Sequence, residues 1–173
     1  MNNRLIINIL RFVGLLFLQV LVIDHIRLSN YIHPCIYVLF ILLLPLDIPK
    51  WQLLLAGFGM GMAVDLFTGT PGLNAAATVF MAFMRPSIIK VTTRRKELDD
   101  IMEPNISAMG FAWFLTYSLL LLILHNFVLF FLEAFSFHLL CVVLLQVVMS
   151  VLISELLILL FLTLFKPNNK RSK

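Results

Sequence analysis

Charge is scarce in this chain. Asp, Glu, Lys and Arg make up only 13% of its 173 residues, against about a quarter in an ordinary soluble domain. The remainder is 61% hydrophobic, with a mean hydropathy of +1.02. A water-soluble fold has no means of covering so much apolar surface, so the solvent of this protein is lipid. Cysteine is nearly absent. Cys35 and Cys141 each sit in an apolar run, with no spacing that suggests a disulfide framework or a metal site. Both are expected to face lipid, and neither reports a redox compartment. Catalytic signatures are missing too: no G-x-S-x-G, no H-E-x-x-H and no phosphate-binding glycine loop. We expect no enzyme activity, no cofactor and no metal. The N-terminus has Arg4, Arg11 and an apolar stretch but no small-residue cleavage site; Val22-Ile23-Asp24-His25 follows instead. It reads as a retained membrane helix rather than a signal peptide.

What is present is a series of long apolar runs. A helix needs about 20 apolar residues to cross a bilayer. The runs predict six spans in a single domain over residues 1–173: Leu5–Ile23, Tyr31–Leu46, Trp51–Phe67, Leu73–Ile89, Ile106–Leu124 and His138–Phe165. Proline sits near their boundaries, at Pro34, Pro45, Pro49, Pro71, Pro86, Pro104 and Pro167, as its missing N–H requires. The second and fourth runs also fit re-entrant segments. The expected fold is therefore all-α, a polytopic membrane protein with about six transmembrane helices.

A pI near 9.3 suggests nucleic acid at first sight, but the basic residues are grouped at span ends. With six spans, twelve of the thirteen lie on the side shared by the termini, and only Arg27 lies opposite. This bias predicts that both termini are cytoplasmic and that nucleic acid is not a partner. An odd number of crossings would spoil the partition. Residues 90–105, with Arg94, Arg95 and Lys96 followed by Glu97, Asp99 and Asp100, read as a solvated connector touching anionic lipid. Residues 125–137 are too apolar for a loop in water. They extend the fifth helix, lie flat in the interface or dock a partner's helix; interfacial anchoring is the reading adopted. All four histidines, His25, His33, His125 and His138, map to outer helix ends, where interfacial placement outweighs a metal site or a pH sensor.

Five of the seven glycines fall in residues 57–74. Gly57, Gly61 and Asp65 share a helix face about 80° wide. Gly57-x-x-x-Gly61 is a pattern that lets two helix backbones approach. On the next run Asn74, Thr78, Ala82 and Arg85 share a face that is expected to meet it, making a tight hairpin through Gly69–Gly72. Asp65 either caps that turn or serves a function, since intramembrane carboxylates are costly and usually face protein or water. Glu155 lies ten residues from Phe165, about 15 Å along a helix and so near the midplane. It must be protonated, paired or in a polar cavity. Gln146, Ser150 and Ser154 form a stripe nearby, about 100° away from it around the helix.

The stretch Gly59-Met60-Gly61-Met62-Ala63-Val64-Asp65-Leu66-Phe67-Thr68-Gly69-Thr70-Pro71-Gly72-Leu73-Asn74-Ala75 resembles the MreD family, integral membrane components of the bacterial rod-shape complex. Those proteins are similar in having a glycine-bearing helix, an Asp-Leu pair, a small-residue turn and a second helix, within a chain of comparable length. The resemblance implies a non-enzymatic scaffold in the bacterial inner (cytoplasmic) membrane. It would bind MreC and connect, directly or not, to the MreB filament and the RodA–transpeptidase pair. Gly57, Gly61, Asp65, Gly69, Gly72 and Asn74 would be its helix-packing or partner-binding residues, with Arg85 and Glu155 as intramembrane polar groups. The resemblance also implies kinship with the six-helix substrate-binding subunits of energy-coupling-factor vitamin transporters. A small-solute transporter subunit is therefore the alternative. Such subunits typically carry an alanine-xxx-alanine pattern on the first helix, where Leu5–Ile23 has only Gly14 as a small residue. For a scaffold, amide replacement of Asp65 or Glu155 is expected to be tolerated.

Overall fold

A computed structural model describes residues 2–23, 33–93, 104, 106–134 and 140–164. No strand occurs among them. In chain order the helices are α1 (Asn2–Leu18, continued by a π-helical turn Gln19–Ile23), α2 (Leu39–Leu42), α3 (Lys50–Thr68), α4 (Leu73–Thr92), α5 (Ile106–Met109), α6 (Phe111–Ala134) and α7 (Leu140–Leu164). Five segments are long and apolar enough to cross a membrane: Leu5–Ile23, Lys50–Thr68, Leu73–Thr92, Phe111–Ala134 and Cys141–Leu164.

The expected second helix, Tyr31–Leu46, is not one. Residues 33–36 have no regular secondary structure and α2 is a single turn of four residues. Pro34 keeps the preceding residue out of helical geometry. From Cys35 to Leu44 every residue is nevertheless buried. The fifth helix also differs from expectation. Gly110, with φ of +88°, separates α5 from α6, and α6 then runs to Ala134. Residues 125–134 are thus helix rather than an interfacial segment, with His125, Asn126, Leu129 and Phe130 buried inside the bundle. Positions 135–137 lie outside the described residues, as do His25, His138 and most of the 90–105 connector. In α4 the helix continues past Pro86 to Thr92.

Directions follow from contacts. Phe12 of α1 packs edge-on against Phe40 at 5.3 Å, while Gln19 reaches Pro34 and Ile36. Segment 33–45 therefore runs antiparallel to α1. It runs parallel to α4, because Tyr37 meets Asn74 and Leu44 meets Arg85. It runs parallel to α7, because His33 meets Ser150 and Cys35 meets Ser154. Contacts of Thr78 with His125 and of Arg85 with Tyr117 make α4 and α6 antiparallel. The tight turn at Gly69–Gly72 does the same for α3 and α4. So α1, α3 and α6 point one way, and segment 33–45, α4 and α7 point the other.

Candidate functional site

Two polar systems lie inside the bundle. The first is the α3–α4 clasp. Gly61 is there because nothing larger fits: a Cβ on it would stand 2.5 Å from Ala75 Cα and 2.6 Å from the Asn74 carbonyl oxygen. One turn earlier, a Cβ on Gly57 would stand 3.1 Å from Ala82 Cβ and 3.2 Å from the Thr78 carbonyl oxygen. The backbones of α3 and α4 touch along this line. That contact brings the Asp65 carboxylate to the start of α4, where the first N–H groups have no intrahelical acceptor. Asp65 Oδ1 accepts from the Thr70 hydroxyl (2.5 Å), the Asn74 backbone N–H (3.0 Å) and the Asn74 side-chain amide (3.0 Å). Oδ2 accepts from the Ala75 N–H (2.9 Å). An acid on one helix thus caps the next, with the favourable sign for a helix N-terminus. Gly69 and Gly72 make the turn with φ of +71° and +80°, a region where side chains are strained.

The clasp continues inward. With its amide nitrogen turned to Asp65 and Thr70, Asn74 presents Oδ1 to the Tyr37 hydroxyl, which donates to it at 2.9 Å. The same hydroxyl oxygen lies 2.9 Å from His125 Nε2. Since its proton goes to Asn74, the imidazole must donate from Nε2. Thr78 agrees: its hydroxyl donates to the Asn74 carbonyl at 2.6 Å and lies 3.4 Å from the same Nε2. His125 Nδ1 is then a bare lone pair, buried without a partner among the described residues. His125 is fully buried, not at an outer helix end as its position in the sequence suggested.

The second system holds segment 33–45. Non-helical backbone at membrane depth is tolerated only where protein or water satisfies it. Here side chains do so. Gln19 bridges the non-helical stretch, donating to the Pro34 carbonyl (3.0 Å) and accepting from the Ile36 N–H (2.9 Å). On the α7 side, Ser150 and Ser154 accept from the N–H groups of His33 (3.1 Å) and Cys35 (2.8 Å). Tyr117 donates to the Leu42 carbonyl at 3.1 Å. Arg85, 1% exposed, donates to the Tyr117 hydroxyl (2.8 Å), to the Leu44 carbonyl and to the Pro45 carbonyl (3.4 Å). All three are neutral acceptors. Arg85 therefore does not join the rest of the expected α4 face against α3; it turns to the broken segment and α6. Cys35 is buried in protein, whereas Cys141 is exposed on the apolar surface.

Glu155 follows Ser154 on α7 but turns to α6. Ser118 of α6 donates to its Oε1 at 2.7 Å, and Oε2 is buried without a partner among the described residues. Ser150 and Ser154 serve the broken segment while Glu155 serves α6, in keeping with their angular separation on α7. Asn126 Oδ1 is a third buried acceptor without a partner. No group of His, Cys, Asp or Glu fit to hold a metal ion occurs among the described residues.

Sequence reasoning missed Tyr37, Gln19, Tyr117 and Ser118. Only Gln19 carried a signal, as the sole strongly polar residue between Arg11 and Asp24 of the first apolar run. No family model, curated protein or solved structure matches this chain.

Proposed function

We propose that this protein is a non-enzymatic scaffold of the bacterial cell-elongation machinery, an MreD-type subunit that binds MreC in the inner membrane. Through that contact it would link the MreB cytoskeleton and the RodA–transpeptidase pair. The observation that carries the reading is what the resembling stretch does. Its glycines bring α3 and α4 into contact, and Asp65 accepts four hydrogen bonds that start α4. A motif engaged in building a rigid helix hairpin suits a protein whose task is to hold partners.

Six crossings belong to the same proposal, five as helices and one as the broken segment 33–45. The alternating directions of the six elements support it. With segment 33–45 counted as a crossing, the sequence's partition of twelve basic residues against Arg27 is kept, and both termini would be cytoplasmic. The broken crossing also favours a second reading, a small-solute transporter subunit. Discontinuous crossings recur where transporters bind substrate, and Glu155, next in sequence to the Ser154 that holds Cys35, leaves Oε2 without a partner among the described residues.

Affinity capture of the tagged chain from native membranes of a rod-shaped bacterium tests the proposal. Co-capture of MreC in near-equal amount is expected. A vitamin-sized solute retained in its place would overturn the scaffold reading in favour of the transporter.

A further inference from the structure

The lipid-facing surface carries a groove of about 360 Å³ between α1 and α3. Ile9 and Phe12 wall it on one side and Leu55 and Ala56 on the other, with Phe40 and Gly59 also lining it. Gly59 is the telling residue. Gly57 and Gly61 are explained by contact with α4, and Gly69, Gly72 and Gly110 by positive φ. A Cβ on Gly59 would meet nothing within 4 Å. A helical glycine is destabilising relative to alanine, and no packing against the described residues offsets it here. What Gly59 contributes is the depth of the groove.

The polar lining is confined to one mouth. Asn8, in the second turn of α1, and Gln52, in the first turn of α3, both line it, and neither side chain hydrogen-bonds to a described residue. Trp51, 65% exposed, marks the same level as a membrane interface. Lys50 is exposed there at the start of α3, whose first N–H groups add positive potential. Asp47 offsets part of that charge. An apolar trough with donors and positive charge at one mouth complements an amphiphile with an anionic head. A transmembrane helix would have no use for polar contacts at one end alone.

We propose that this groove is a phospholipid site. One acyl chain lies over Ala56 and Gly59, and the phosphodiester accepts from the Asn8 and Gln52 amides beside Lys50. The inference is independent of the scaffold reading, and each stands if the other falls. Native mass spectrometry of the full chain tests it, after exchange into micelles holding equal phosphatidylglycerol and diacylglycerol. One retained phosphatidylglycerol and no diacylglycerol are expected. The double change Asn8→Leu and Gln52→Leu should lower retention by about a hundredfold or more, as loss of two hydrogen bonds to a charged group implies. Gly59→Leu should abolish it while the protein remains folded by thermal denaturation. Equal retention of both lipids, or retention indifferent to Gly59→Leu, would overturn the proposal. So would disulfide or photo-crosslinking from Gly59→Cys that captures a single-span protein in native membranes instead of lipid.

Discussion

Asp65 accepts hydrogen bonds and nothing else, and every group around it donates. That makes the amide a poor substitute. Asp65→Asn would turn an NH₂ toward either the Ala75 N–H or the Thr70–Asn74 donors, leaving buried groups unpaired at about 1–3 kcal/mol each. The expectation that this change is tolerated, reasonable from the sequence, is reversed by the geometry. Asp65→Asn should lower the midpoint of thermal unfolding in detergent clearly, and Asp65→Leu should lower it further; an unchanged midpoint for the amide would contradict the cap. The glycines give a graded companion test. Gly61→Ala should be the most damaging because its neighbours are backbone, Gly57→Ala intermediate, and Gly59→Ala neutral or stabilising by up to about 1 kcal/mol. The shared face of Gly57, Gly61 and Asp65 was legible because helical period alone puts them together. The partners of Asp65 were not, since they belong to another helix and depend on the turn.

At the scale of elements, segment 33–45 decides most. A run as apolar as Tyr31–Leu46 reads as a short helix, because its apolar side chains look the same in a buried irregular segment. The difference lies in Gln19, Ser150, Ser154, Tyr117 and Arg85, scattered over four helices, and no local pattern announces their convergence. α6 shows the opposite error: its polar residues His125 and Asn126 looked like the end of a span, yet they are buried mid-helix. In a Cys141→Ser background, the native Cys35 should resist maleimide in the folded protein, being 3% exposed. Gln19→Leu removes both bonds of the bridge and should render Cys35 reactive. If the rate does not change, side chains do not hold the segment. Arg85→Met leaves the Leu44 and Pro45 carbonyls without their donor and should destabilise by about 1–3 kcal/mol for each carbonyl left unpaired. Retention of wild-type protease resistance by that variant would refute its clamping role.

For the whole molecule, the proposed six-crossing arrangement draws on two separate sets of residues, the lysines and arginines of the sequence and the contacts that set the helix directions. It counts segment 33–45 as a crossing although that segment is not a helix. Lys96→Cys and Ser172→Cys should label only after the inner membrane is permeabilised, whereas Arg27→Cys should label from outside in intact cells. Labelling of position 96 from outside would break the six-crossing arrangement. The functional account goes further and treats Glu155 as a structural partner of Ser118 rather than as a carrier of protons or solute. Glu155→Gln keeps size and hydrogen bonding but cannot cycle a proton. The most direct test is complementation of a strain lacking its own MreD-type protein, scored by cell shape together with recovery of MreC. The account predicts rod shape and MreC binding retained with Glu155→Gln; loss of shape while the variant still inserts and still binds MreC would contradict it and favour transport.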